Sequence, residues 1–173
     1  MSLAIFSYTA TKQRLAGTRW LGVGILAALH LAAVAVAAWT EYDLVGPAIF
    51  MLAWALLNFT FIALLRRPAI AAALSLCLFV AVIMLSQFKF SVLWTVINFF
   101  DVLIVDSDTV AFLLSIFPDL RIMVLIGALI LVPVLVAIWR LDPFRLRRSV
   151  ALLAAVACSI PITVWALAVP EEP

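Results

Sequence analysis

The sequence predicts an all-α integral membrane protein of five transmembrane helices. Its N-terminus lies inside, its C-terminus outside, and an interfacial helical segment sits between spans three and four. Three observations carry that prediction. Of 173 residues, 68% are hydrophobic and 12% charged, whereas a soluble domain holds roughly 25% charged residues. Five apolar stretches approach the roughly 20 residues that a bilayer-crossing helix needs. Nine of the eleven basic residues fall in alternate loops, as the positive-inside bias requires.

The spans lie at about 20–39, 45–65, 69–85, 122–139 and 150–169, within one membrane domain covering 1–173. Lipid offers the backbone no hydrogen bonds, so each span is a helix. The first follows Lys12, Arg14 and Arg19 and is too long for the apolar core of a cleavable signal. Within it, Gly24, Ala28 and Ala32 recur every four positions and suit close helix packing. Pro47 fits a first helical turn of span two, while Pro133 and Pro161 fall mid-span and should kink their helices.

The loops give the orientation. Inside lie Lys12, Arg14, Arg19, Arg66, Arg67, Arg140, Arg145, Arg147 and Arg148; outside lie only Lys89 and Arg121. The acids divide the other way. Glu41, Asp43, Asp101, Asp106, Asp108, Asp119, Glu171 and Glu172 lie outside, and Asp142 alone lies inside. The cluster "RLDPFRLRR" at the inner ends of spans four and five would contact anionic lipid head groups.

The outer segment between spans three and four is predicted to form interfacial helices over about 90–117. Its apolar run Val92–Val105 has 14 residues, too few for a comfortable crossing. A crossing there would also move the Arg145–Arg148 cluster outside and break the charge pattern. Read as one helix, the run places Ser91, Thr95, Asn98 and Asp101 on a polar stripe, opposite Val92, Leu93, Val96, Phe99, Phe100 and Leu103. A second short helix starts at "DSDT", where Asp106, Ser107 or Asp108 caps exposed N–H groups.

Few residues could carry chemistry. His30, near the middle of span one, is the lone histidine. The simplest account is an interhelical hydrogen bond to Asn58 of span two, with a proton or ligand role as the alternative. Cys77 and Cys158 lie within apolar stretches and read as small packing residues. One histidine and no cysteine outside the spans exclude a His/Cys zinc cluster. No glycine-rich phosphate loop and no serine–histidine–acid set is present. The five spans contain no charged residue, which argues against an ion or solute pathway.

The stretch "FKFSVLWTVINFFDVLIVDSDTVAFLLSIFPDLR", residues 88–121, resembles a segment of one bacterial family. It is similar to the N-terminal membrane domain of sulfatase-like, lipoteichoic-acid-synthase-type enzymes, which include phosphoglycerol and phosphoethanolamine transferases. The features shared are Lys89 with Phe90, Asp101 a dozen positions on, then "TVAFLL" and "FPDL" before the next span. The five-span plan is similar along the whole chain. "TVINFFD" departs from the family pattern, in which a proline-containing turn often precedes the aspartate.

That resemblance implies a membrane-anchor module in the bacterial inner membrane, positioning an extracytoplasmic catalytic domain at the outer leaflet. Such a domain would follow Pro173 and would hold the threonine nucleophile and the divalent metal. No catalytic, cofactor-binding or metal-binding residue is assigned within these residues. Lys89, Asn98, Asp101 and Arg121 are the expected docking residues for lipid or for that domain. The alternative is a small non-enzymatic membrane subunit, acting as a scaffold or assembly factor in a larger complex. No nucleic-acid partner is expected, since the basic residues occur as short clusters flanking apolar runs.

Overall fold

The computed structural model describes residues 2–40, 45–95, 98, 101 and 106–168, with side chains from residue 19 onward. Of the described residues 91% are helical, and none is in a strand. Six helices are described: α1 (Ser2–Thr40), α2 (Val45–Leu65), α3 (Pro68–Leu93), α4 (Ser107–Ile116), α5 (Pro118–Leu141) and α6 (Arg148–Ala168). Five are long and apolar enough to cross a membrane: Arg19–Thr40 within α1, and all of α2, α3, α5 and α6.

Helix α1 starts well before its membrane-length part, because no proline interrupts residues 2–18. Its packing face differs from the predicted stripe. Gly22, Ala33 and Ala37 are buried, flanked by half-buried Ile25, Leu26, Leu29 and Val36, whereas Gly24 and Ala28 are exposed. A Cβ on Gly24 would meet nothing within 4 Å. The small-residue count alone could not distinguish two neighbouring faces of one helix.

Two compact units are distinguished: residues 1–77 with 137–173, and residues 78–136. In the first unit α2 packs along α6 and against α1. Phe50, Trp54, Asn58 and Ile62 of α2 are buried at spacings of four, and Ala151 and Ala155 of α6 share that spacing. Residues four apart lie on one helix face, so each helix offers a single seam. Ile62, Ala63, Ala71 and Ala151 close into one apolar cluster, with Phe59 and Phe61 packed against it. Lipid tails are as apolar as the seam. Association therefore rests on close packing, which the alanines permit.

Arg66 and Arg67 alone link α2 to α3. Arg66 adopts a left-handed conformation, φ 63°, and its N–H donates to the Ile62 carbonyl at 2.7 Å. Pro68 then opens α3, where its missing N–H costs nothing. Ser75 is fully buried in α3, but its hydroxyl donates to the carbonyls of Ala71 and Ala72 at 2.9 and 3.1 Å. Back-bonding of this kind satisfies a hydroxyl without a second helix.

In the second unit α3 continues to Leu93, about two turns beyond the predicted end of span three. Residues 90–93 thus belong to that long helix rather than to an interfacial one. Ser86, Gln87 and Lys89 are polar but do not break a helix; the break comes at Trp94, at φ 57°. A helix ends readily at a left-handed residue. The stripe Ser91, Thr95, Asn98, Asp101 is therefore not one helical face. Val96, Phe99, Phe100 and Leu103, its expected apolar partners, lie outside the described residues, as do Glu41, Asp43, Glu171 and Glu172.

Asp106 is the N-cap of α4, accepting from the Thr109 N–H at 2.7 Å and the Thr109 hydroxyl at 2.6 Å. Asp108 occupies the first turn. Phe117 separates α4 from α5 and meets Phe88 of α3 edge to face, centroids 5.1 Å apart. Pro118 opens α5, so the span begins four residues earlier than predicted. Pro133 and Pro161 both lie inside uninterrupted helices. Around Pro161, Ser159 and Thr163 donate to the carbonyls of Val156 and Ser159 at 2.8 and 2.9 Å.

Candidate functional site

Three of the four expected docking residues come together. Lys89 Nζ lies 2.6 Å from Asp101 Oδ2, forming an ion pair. The same oxygen accepts the Asn98 N–H at 2.7 Å. In return Asn98 Oδ1 accepts the Asp101 N–H at 3.1 Å. Two residues three apart that exchange side-chain and backbone bonds make a capping box, a device that starts a helical turn. Asp101 thus closes a local turn and ties it to α3 through Lys89.

The carboxyl of Asp101 is held below its usual value of 3.8, first by the Lys89 hydrogen bond and then by the Asn98 N–H. Asp106 is lowered likewise, first by the Thr109 hydroxyl and then by the Thr109 N–H. Each acid is engaged by its own partners. Among the described residues no three His, Cys, Asp or Glu side chains converge as metal ligands. Arg121 is exposed in the first turns of α5, and no described hydrogen bond or ion pair joins it to the Lys89–Asp101 pair.

His30 does not bond to Asn58. Its Nδ1 lies 2.8 Å from the Leu26 carbonyl of its own helix. Its ring stands edge to face on Trp54, centroids 5.0 Å apart. A histidine can satisfy one nitrogen on the preceding turn, as serine does, so a cross-helix partner is not required. Trp54 and Asn58 are buried to 2% and 5% exposure. The Trp54 Nε1 and Asn58 Oδ1 have no hydrogen-bond partner among the described residues. Cys77 and Cys158 are free, half-buried thiols.

The residue that sequence reasoning passed over is Asp142. It is 6% exposed. Its Oδ2 accepts the N–H groups of Ala69 and Ile70 at 2.8 and 3.4 Å, and its Oδ1 accepts the Phe144 N–H at 3.1 Å. The first two are orphan donors of the α3 N-terminus, so Asp142 caps that helix from a loop over 70 residues away. The third bond is an Asx turn, which the Asp-Pro dipeptide favours. A lone acid before proline in a basic loop was the available signal.

Other contacts fasten the same loop. Leu146 N–H donates to the Arg66 carbonyl at 3.0 Å. The Arg67 guanidinium lies over the Trp139 ring, 4.6 Å from its centroid, and donates to the Trp139 carbonyl. On α1, a Cβ at Gly22 would come within 2.6 Å of the Pro143 Cδ. Residues from α1, the α2–α3 link, α5 and the α5–α6 loop therefore form one knot around Asp142.

No family model, curated protein or solved structure matches this chain. Its functional reading rests on the residues themselves.

Proposed function

We propose that this chain is the membrane-anchor module of a sulfatase-like lipid head-group transferase of the lipoteichoic-acid-synthase type. It resides in the bacterial inner membrane with its N-terminus in the cytoplasm and its C-terminus outside. The observation that carries this reading is the Lys89–Asp101–Asn98 cluster. It lies within the one stretch, 88–121, that resembles the family. A lysine and a capping turn hold Asp101 in place relative to Lys89 and Asn98. A catalytic domain or a phosphate-bearing head group would dock there, with Arg121 offering further positive charge. The distribution of basic residues supports the orientation.

A second reading, a small non-enzymatic membrane subunit, is favoured by one observation. Helix α5 carries no buried residue along its 24-residue length, which suits a helix that packs on another protein. The reading frame beyond Pro173 separates the two. A continuing frame with a threonine-centred metal motif supports the anchor; a stop codon supports the subunit. A reporter fused after Pro173 should be active only outside the cytoplasm, and cytoplasmic activity overturns the orientation.

A further inference from the structure

The knot around Asp142 has an electrostatic consequence. Arg66, Arg140, Arg145, Arg147 and Arg148 are all exposed. None forms an ion pair among the described residues. The one acid in their midst is Asp142, and both its oxygens are engaged by backbone N–H groups. The Leu146–Arg66 bond brings Arg145 and Arg147, the neighbours of Leu146, beside Arg66. Like charges gathered without a counter-charge repel one another and together attract an anion from outside the chain.

Arg66 provides a separate reason. Its backbone is left-handed at φ 63°, a conformation glycine adopts freely and other residues only at a cost. The turn alone would favour glycine. An arginine there, at the end of α2, places a guanidinium at the turn that a glycine would not.

We propose that Arg66, Arg145 and Arg147, flanked by Arg140 and Arg148, bind the phosphate of an anionic phospholipid. Asp142 holds the loop so that these guanidinium groups stay free for that ligand. Guanidinium forks match phosphate oxygens geometrically. The exposed apolar side chains of Leu141 and Leu146 lie between the arginines in sequence, and that of Val150 follows Arg148. That mixture suits the boundary of a bilayer rather than a soluble anion. The inference draws on the membrane reading alone and is independent of any catalytic domain or outer docking site.

The test uses the full chain in nanodiscs of phosphatidylcholine with increasing phosphatidylglycerol, which expose both leaflets. Native mass spectrometry reads the phosphatidylglycerol retained, and thermal unfolding reads stability. The native chain should retain phosphatidylglycerol in preference to phosphatidylcholine. Arg145→Gln with Arg147→Gln should weaken retention on the order of fivefold per arginine removed. Arg66→Gly should weaken it similarly while leaving thermal stability in phosphatidylcholine equal or higher, since glycine relieves the turn. Equal retention of both lipids by the native chain overturns the proposal, as does unchanged retention in all variants. Displacement of phosphatidylglycerol by millimolar inorganic phosphate would make this a soluble-phosphate site and overturn it equally.

Discussion

The Asp142 carboxylate accepts a hydrogen bond from the Ala69 N–H at 2.8 Å, joining positions 73 residues apart. A helix N-terminus normally finds its cap in the residue just before it. That is Arg67 here, which has no side-chain acceptor. The cap comes instead from the α5–α6 loop, so the start of α3 and the fold of that loop depend on each other.

Removing that carboxylate should therefore loosen two elements at once. Asp142→Ala leaves the buried N–H groups of Ala69 and Ile70 unpaired, at about 1–3 kcal/mol each. Asp142→Asn retains an acceptor and should lose clearly less. Thermal unfolding of both variants in detergent checks this. Equal losses would mean that the side chain's acceptor oxygens do not matter.

Gly22 and Gly24 make a matched pair on α1. A Cβ at Gly22 would strike Pro143 at 2.6 Å, with Phe144 at 3.2 Å, while Gly24 faces open space. Gly24→Ala should be neutral or stabilising by up to ~1 kcal/mol, since alanine is the better helix former. Gly22→Ala should lower stability and raise hydrogen exchange across residues 142–147. Identical behaviour of the two variants would show that the loop does not dock on α1.

The Lys89–Asp101 pair should be sensitive to acid. Folding lowers the Asp101 pKa below 3.8. Its contribution is thus fully present above the ordinary carboxylate range and is lost as pH falls through the lowered value. Backbone hydrogen exchange near residues 98–101, corrected for its intrinsic pH dependence, should rise on acidification below about 4. Asp101→Asn should be unprotected at every pH. Under the proposed anchor function, Asp101→Leu should disturb docking or lipid turnover while leaving insertion intact.

Asn58 should be replaceable. Its Oδ1 is buried without a partner among the described residues, which costs stability. Asn58→Leu, of similar volume, should leave thermal stability unchanged or raise it by about 1 kcal/mol. A large loss would reveal a partner for the amide that the fold itself does not provide.

Much of this architecture is legible along the chain. Val45–Leu65 has the predicted bounds of span two, and Asp106 caps α4 as its sequence context suggests. Both depend on neighbouring residues: an unbroken apolar run, and an acid three positions before a free N–H. The segment between α3 and α4 is harder to read. Nothing local distinguishes Trp94 as a left-handed residue, so the end of α3 and the turn after it read as one separate interfacial helix. The partners of His30 were likewise not deducible, because a hydrogen bond to Leu26 within its own turn competes with any cross-helix bond.

By itself, then, the sequence determined the five membrane-length helices and the separation of basic from acidic loops. Both follow from the cost of placing polar groups in lipid, which acts on each segment alone. The tertiary structure decided which face of α1 is buried and which acid holds the arginine-rich loop. Those outcomes depend on contacts between distant segments, such as Gly22 with Pro143 and Asp142 with Ala69. Hydropathy is blind to such contacts, because many pairings of apolar helices bury similar surface, and only close packing and hydrogen-bond geometry select one.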